Sequence, residues 1–418
     1  MTSSNNSYQP LNISIVGAGI GGLTAAIALR KNGHNVQIFE TAEIKTEIGA
    51  AVAVQANSLR VLDHLGVSKE NLKGFLSVFL GSWLIRFAFK IYKGWPPQIS
   101  NLALKTAGLL CHRSDLYEEL KRLATGEGEG PPALLRLGTT VVASDPEQGA
   151  VTLKGGEIVD ADCILGADGI HSIIRSQILG NTVKAENSGW SCFRVIFEVS
   201  NLLNTPELEW LHAGVTGSRI VIDREGPFRM FLIYPCRNGA FINVVAFYPD
   251  SPEDDAGDPI LIPFPVVWMP TTTREEFIAK FPKFHPKFLS FLDLPTHDSI
   301  HRWKLRVLPH LPTWVRGRAA LLGDAAHGTL PLLGQGAGMA VEDGGSLGFL
   351  LPAGTRREDI PARLEAHQRL RTERGEFVNT ESVAQLSKGF NLLEAKKIQS
   401  HLPEYDAMEA AEKATATI

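Results

Sequence analysis

Residues Leu11-Asn12-Ile13-Ser14-Ile15-Val16-Gly17-Ala18-Gly19-Ile20-Gly21-Gly22-Leu23 decide the fold. Leu11 to Val16 alternates and is rich in β-branched side chains, the pattern of a strand. A glycine-rich turn follows at once. From Leu23 to Lys31 the chain is rich in Ala and Leu, and Gly33 reads as a helix stop. Asn35 to Glu40 then reads as a second strand. Strand, helix and strand in that order form the βαβ unit of a doubly wound parallel sheet.

The turn has the spacing of a dinucleotide fingerprint. Gly17 permits a tight turn, Gly19 lets the backbone approach a pyrophosphate, and Gly22 allows helix and strand to pack closely. The helix N-terminus offers its amides and the positive end of its dipole to phosphates. About twenty residues on, Glu40 ends the second strand, where a carboxylate accepts from ribose hydroxyls. An acid there fits FAD or NAD and disfavours NADP as the ligand of this fingerprint, but does not choose between the first two.

Outward from this unit, Asn57 to Leu65 reads as a helix with Leu59, Leu62 and Leu65 on one face, and Asp115 to Ala124 as another. Pro131 to Leu165 reads as short strands returning to the first sheet. Between Glu186 and Arg306 the texture changes to alternating strands (Ser191 to Glu198, Ser218 to Asp223, Arg229 to Pro235, Phe241 to Phe247) with Pro-rich connectors such as Ile260 to Pro270. Ala319 to Gly323 reads as a return strand, and Arg363 to Gln385 as helix. The expected fold is α/β. A Rossmann-like dinucleotide domain with a parallel sheet spans residues 11–185, with strands near 75–110 belonging to a second, mostly antiparallel β-sheet domain at 186–306. The first domain then returns with C-terminal helices over 307–400.

The 418 residues are 44% hydrophobic and 21% charged, with a formal net charge of -4 and no run of five like charges, which argues against a nucleic-acid partner. The most apolar stretch, Gly74 to Phe89, is interrupted by Arg86 and is too short to span a bilayer. Cys111, Cys163, Cys192 and Cys236 lack metal-ligand spacing and read as reduced thiols of a cytoplasmic protein. No metal is expected, and Trp190, Trp210, Trp268, Trp303 and Trp314 read as core.

Two further segments make the choice of nucleotide. Cys163-Ile164-Leu165-Gly166-Ala167-Asp168-Gly169-Ile170-His171-Ser172-Ile173-Ile174-Arg175 resembles the Asp-Gly motif of the class A FAD-dependent aromatic hydroxylases. Gly323-Asp324-Ala325-Ala326-His327, then Pro331 and Gly334-Gln335-Gly336-Ala337-Gly338, is similar to the same family's Gly-Asp motif. Para-hydroxybenzoate and salicylate hydroxylases are familiar members, and the resemblance covers about Ile13 to Arg374. It implies FAD as bound cofactor. Asp324 would accept from a ribityl hydroxyl, and Gly336 and Ala337 would open a helix facing the flavin. Asp168 would position FAD and the transient nicotinamide. Cys111-His112-Arg113 matches the family's His-Arg segment, so Arg113 would contact FAD. Gly49-Ala50-Ala51-Val52-Ala53 resembles the small-residue loop beside the flavin, with Ala53 at the contact position; many members have Gly where this chain has Ala51. His327 reads as structural or flavin-adjacent rather than a general base.

On the substrate side, Gly189-Trp190-Ser191-Cys192-Phe193-Arg194 and Tyr234-Pro235 resemble a branch acting on resorcinol-like phenols. The resemblance implies that Arg194 holds a phenolate and Tyr234 faces it. A guanidinium favours the anion of a phenol, and a tyrosine hydroxyl can orient it. The implied activity is hydroxylation of a small phenolic substrate with O₂ and NADH or NADPH, through a C4a-hydroperoxyflavin, in a monomer or homodimer. Decarboxylative hydroxylation and dearomatisation share the scaffold. Phe79 and Trp83, in the apolar stretch, would face an alkylated substrate. A halogenase would carry a Trp-x-Trp-x-Ile-Pro element, which is absent, and an oxidase would lack the Asp-Gly and Gly-Asp pair. A flavin-binding regulator would show no substrate-stimulated NAD(P)H oxidation.

Overall fold

The computed structural model describes residues 9–43, 51–78, 82–86, 107–203, 205–212, 218–223, 227–251, 271–294, 296, 300–387, 398 and 401–418. The opening unit forms as its pattern requires. Strand Asn12–Val16 leads into helix Ile20–Lys31 and then strand Asn35–Phe39, which pairs with the first in parallel. Cys163–Gly166 joins on the other side, also parallel, and Ala319–Leu321 beyond it. With Leu134–Arg136 at one edge and Val315–Arg316 at the other, these make a six-stranded sheet, parallel except at the last pair. The C-terminal strand ends at Val16, Gly166 and Leu321 therefore lie side by side, and the three glycine-bearing turns leave from one edge. That edge is where ligands of such sheets bind.

Helix Ile20–Lys31 packs against a second helix, Gly336–Leu350, almost backbone to backbone. A Cβ added at Gly344 would lie 2.6 Å from the Ala25 amide nitrogen, and one at Gly348 would lie 2.9 Å from the Ala28 Cβ. Both helices start at the same edge of the sheet. Helix Ile360–Ser387 packs against Gly336–Leu350.

The second large sheet runs in the order His301–Val307, Glu186–Glu198, Phe241–Pro249, Arg229–Cys236, Arg219–Asp223, Ser82–Arg86. Its pairings are antiparallel except the last, which is parallel. Alternation sends one set of side chains into an aromatic core of Phe193, Phe231, Phe277, Phe281, Phe288 and Phe291. The opposite set, including Cys192, Ile196, Tyr234, Val245 and Phe247, faces the dinucleotide half. A small antiparallel sheet of Ala51–Val54, Ala107–His112 and Phe75–Val78 lies between the two.

Three strands between Val141 and Asp160 form a separate antiparallel sheet instead of joining the parallel one. Local hairpin turns satisfy their backbone groups without a long crossover. The Ile260 to Pro270 connector, Trp268, Gly49, Ala50, Phe79 and the side chain of Trp83 lie outside the described residues. No helix among the described residues is long and apolar enough to cross a membrane.

Candidate active site

The first turn is built by close approach. Gly17 has φ +104°, and a Cβ there would lie 2.3 Å from the Ala167 carbonyl oxygen. A Cβ on Gly22 would lie 2.1 Å from the Gly17 carbonyl oxygen, so that glycine lets the helix sit on its own turn. At Gly19 an added Cβ meets nothing within 4 Å. Gly17 and Gly22 thus shape the turn, while Gly19 faces open space. Glu40 braces the same turn: its carboxylate accepts from the Ala18 amide at 2.9 Å and from the Ala42 amide at 3.1 Å.

That open space is a cavity of about 540 Å³ between the parallel sheet and the antiparallel one. Of the residues expected at a site, Gly19, Ala53, Arg113, Arg194, Tyr234, Asp324, Gly336 and Ala337 line it. Gly17, Gly22, Glu40 and Asp168 do not. Asp324 is exposed to the cavity and does not cap its short helix, whose N-cap is Gly323. Arg113 opens helix Arg113–Thr125, directly after the strand paired with Ala51–Val54. The Asp168 carboxylate instead organises its own turn, accepting from Ser172 Oγ at 2.6 Å and the amides of Ile173 and Ile174 at 2.7 and 3.1 Å. Burial raises its pKa, although these donors pull the other way. Arg175, in the same motif, is buried and donates to the carbonyls of Ile170, Val183 and Ala325.

Beneath the Gly323–Asp324 turn lies a buried ionic cluster. Asp343 accepts from the Gly323 amide at 2.8 Å, from Arg371 Nε at 2.7 Å and from His327 Nε2 at 2.6 Å. Glu342 accepts from Asn57 Nδ2 and Arg371 Nη2, both at 2.6 Å, and from Arg374 Nη2 at 2.9 Å. Burial pushes the Asp343 carboxyl up, but His327 and Arg371 outweigh it and hold it well below the usual carboxylate range. His327 is thus a fixed structural donor. Sequence reasoning missed this cluster, although consecutive acids in a glycine-rich apolar helix and arginines three apart at 371 and 374 were its signal.

On the antiparallel side, the half-buried Arg194 guanidinium lies over the Trp303 ring, 5.1 Å from its centroid. It makes no ion pair with a carboxylate among the described residues. Trp303, read as core, lines the cavity and is the platform for this arginine; its side chain shares the Arg194 face because it pairs opposite Cys192. Tyr234 Oη donates to the Ala51 carbonyl at 2.8 Å, and its pKa is raised by burial although Arg194 draws it down. That bond joins the antiparallel sheet to the small-residue strand. The four cysteines are buried and unpaired, and burial pushes the Cys111, Cys163 and Cys236 thiols up to about 12.

The geometry fits FAD. Two helix N-termini, an exposed carboxylate and a glycine whose added Cβ would meet nothing border one cavity. Comparison with known proteins agrees. A family model described as FAD binding domain matches residues 136–382, and one described as NAD(P)-binding Rossmann-like domain matches residues 15–46. Hispidin-3-hydroxylase from Neonothopanus nambi is 37% identical over 100% of this chain and 98% of its own. The crystal structure of CtdE in complex with FAD and a substrate superposes with a TM-score of 0.79 at 19% identity, covering 98% of each chain. A salicylate hydroxylase substrate complex does so with a TM-score of 0.72 at 25% identity, covering 97% of this chain and 98% of that one.

Proposed function

Because the chain belongs to the FAD-binding class A monooxygenases, the salicylate hydroxylase-like family, we propose that it hydroxylates a small phenol held as its phenolate by Arg194. The observation that carries this is Arg194 itself, a cation on the cavity wall, stacked on Trp303 and without a carboxylate partner among the described residues. A guanidinium so placed favours the anion of a phenol and raises the electron density of its ring. The name of the 37% identical relative supports hydroxylation of an aromatic compound.

In this reading residues 186–306 supply the substrate wall, and 11–185 with 307–400 supply the cofactor half. FAD, when bound, supplies reduction by NADH or NADPH and activation of O₂. Gly19 and the helix start behind it would receive the pyrophosphate, with Glu40 bracing the turn and reaching toward ribose. Asp324 and Arg113 would hold the ribityl chain and its oxygens, and Ala53 would give the ring close access. The amides at Gly336 and Ala337 would face electron-rich carbonyls. Asp168 keeps the Asp-Gly turn in shape from outside the cavity. Tyr234, its proton given to Ala51, has none to offer the phenolate, so in this reading its ring walls the pocket and orients the substrate against Arg194. Leu232, Val245 and Phe247 keep water from the reacting edge. Buried unpaired cysteines support a cytoplasmic home.

A nitrophenol tests the reading. Bound to the FAD-loaded protein below its free pKa, it should absorb as the phenolate, and Arg194→Gln should abolish that signal. Phenols should also accelerate NAD(P)H oxidation. A nitrophenol bound only as the neutral form, together with phenol-independent oxidation, would sink the proposal.

A further inference from the structure

Arg194 and Tyr234 do not account for every polar group on the substrate sheet. Along Phe241–Pro249, Ile242, Val244, Ala246 and Tyr248 enter the phenylalanine core, so Phe241, Asn243, Val245 and Phe247 face the cavity side. Asn243 pairs opposite Tyr234 on one neighbouring strand and Ile196 on the other. Val245, two residues along, pairs opposite Arg194 and Leu232. Since Tyr234, Val245, Leu232 and Arg194 all line the cavity, Asn243 stands at the edge of that lining, diagonal to Arg194.

Asn243 is 1% exposed, and neither its Oδ1 nor its Nδ2 has a hydrogen-bond partner among the described residues. Its neighbours Ile196 and Val245 are apolar, and the Tyr234 hydroxyl donates to Ala51. A buried carboxamide with both ends unpaired destabilises the fold, where a leucine of similar shape would not. Such a group calls for a partner that arrives later or for an ordered water. Its place beside two residues read as substrate contacts favours the first.

We propose that Asn243 is a specificity-determining residue that pairs with a second hydroxyl on the substrate ring. A hydroxyl both donates and accepts, so it satisfies either end of the carboxamide. Diagonal neighbours in an antiparallel sheet lie about 7–8 Å apart, so groups reaching inward from Arg194 and Asn243 can meet different edges of one aromatic ring. The inference rests on the reading of Arg194 as the phenolate's partner and adds that the enzyme selects dihydroxylated over singly hydroxylated rings.

The test compares resorcinol with 3-methylphenol, in which methyl replaces the second hydroxyl, on the FAD-loaded full chain and on Asn243→Leu. Intrinsic ring reactivity cancels when the ratio of kcat/KM values is compared between the two proteins. That ratio should fall about ten- to hundredfold in Asn243→Leu. The melting temperature of the ligand-free variant should equal or exceed that of the wild type, and the upward shift given by resorcinol should shrink. An unchanged ratio, or an equal loss for both phenols, overturns the proposal and leaves Asn243 to a buried water, even where Arg194→Gln still abolishes nitrophenolate binding. If the wild type neither binds nitrophenolate nor oxidises NAD(P)H faster with either phenol, the reading of the pocket fails, and this proposal with it.

Discussion

Beneath the Gly323–Asp324 turn, Glu342 and Asp343 have no exposed surface, and their oxygens are met by Arg371, Arg374, His327, Asn57 and a backbone amide. In the antiparallel sheet, Arg194 faces a cavity with no carboxylate partner among the described residues, and Asn243 is buried with neither end of its amide engaged by any of them. The first region carries two acids and two arginines whose charges are paired within it. In the proposed function, the charge of the second is met by the substrate anion. If the proposals hold, the difference separates what keeps a cofactor turn in shape from what chooses a substrate.

Breaking the balanced side should have the largest effect. Asp343→Ala leaves the Arg371 charge, His327 and the Gly323 amide without their shared acceptor, and should cost about 3–5 kcal/mol of stability, read by urea unfolding. A loss confined to activity, with the unfolding midpoint unmoved, would erase the contrast. On the other side, Arg194→Gln should lower kcat/KM for a phenol about a hundred- to a thousandfold and leave the melting temperature within a degree or two of wild type, about the span of a neutral substitution. A large drop in melting temperature would mean that Arg194 also serves the scaffold.

Acid sharpens the same contrast. His367, fully buried beside the cluster, is held neutral by burial, which lowers its pKa from 6.5 to about 4. The unfolded chain therefore takes up this proton first. The stability involved is present above pH 6.5 and lost as pH falls toward 4, a loss on the order of 2–3 kcal/mol. Asp343, also depressed, adds to the loss further into acid. Denaturant midpoints measured between pH 7 and 4.5 should fall, and His367→Leu should flatten that dependence. An equally steep fall in the variant would assign it elsewhere.

The smallest change in stability belongs to Gly19→Ala. Its Cβ meets nothing within 4 Å and its φ of −78° suits alanine, so stability should move by less than about 0.5 kcal/mol. FAD affinity, measured by flavin fluorescence, should nonetheless fall. Gly22→Ala, whose Cβ would strike the Gly17 carbonyl, should lose both. Unaltered FAD binding in Gly19→Ala would move the pyrophosphate away from this turn.

Much of the architecture was legible because it is local. Period-two alternation, a glycine turn and an Ala-rich helix fix the opening βαβ unit within thirty residues, and the strands after Glu186 announce themselves in the same way. Less legible was anything that depends on which strands meet. Val141 to Asp160 has the composition of strands able to join any sheet, and only pairing shows that it closes on itself. Trp303 as the platform of Arg194 follows from a register between strands more than a hundred residues apart in sequence, which composition does not encode. Asp168 shows another limit. A motif names the residue, but not whether its carboxylate turns toward the cavity or back onto the amides of the next helix, where it is found.

The glycines at 344 and 348 bear on more than packing. Because they bring Gly336–Leu350 against the backbone of Ile20–Lys31, the span between the two helix mouths is gauged by main-chain contact instead of by loop length. The molecule thus holds a caliper of fixed jaw width. A single methyl at Gly344 would prise it open from about twelve ångströms away, roughly the rise of two helical turns, without touching a residue that meets a ligand.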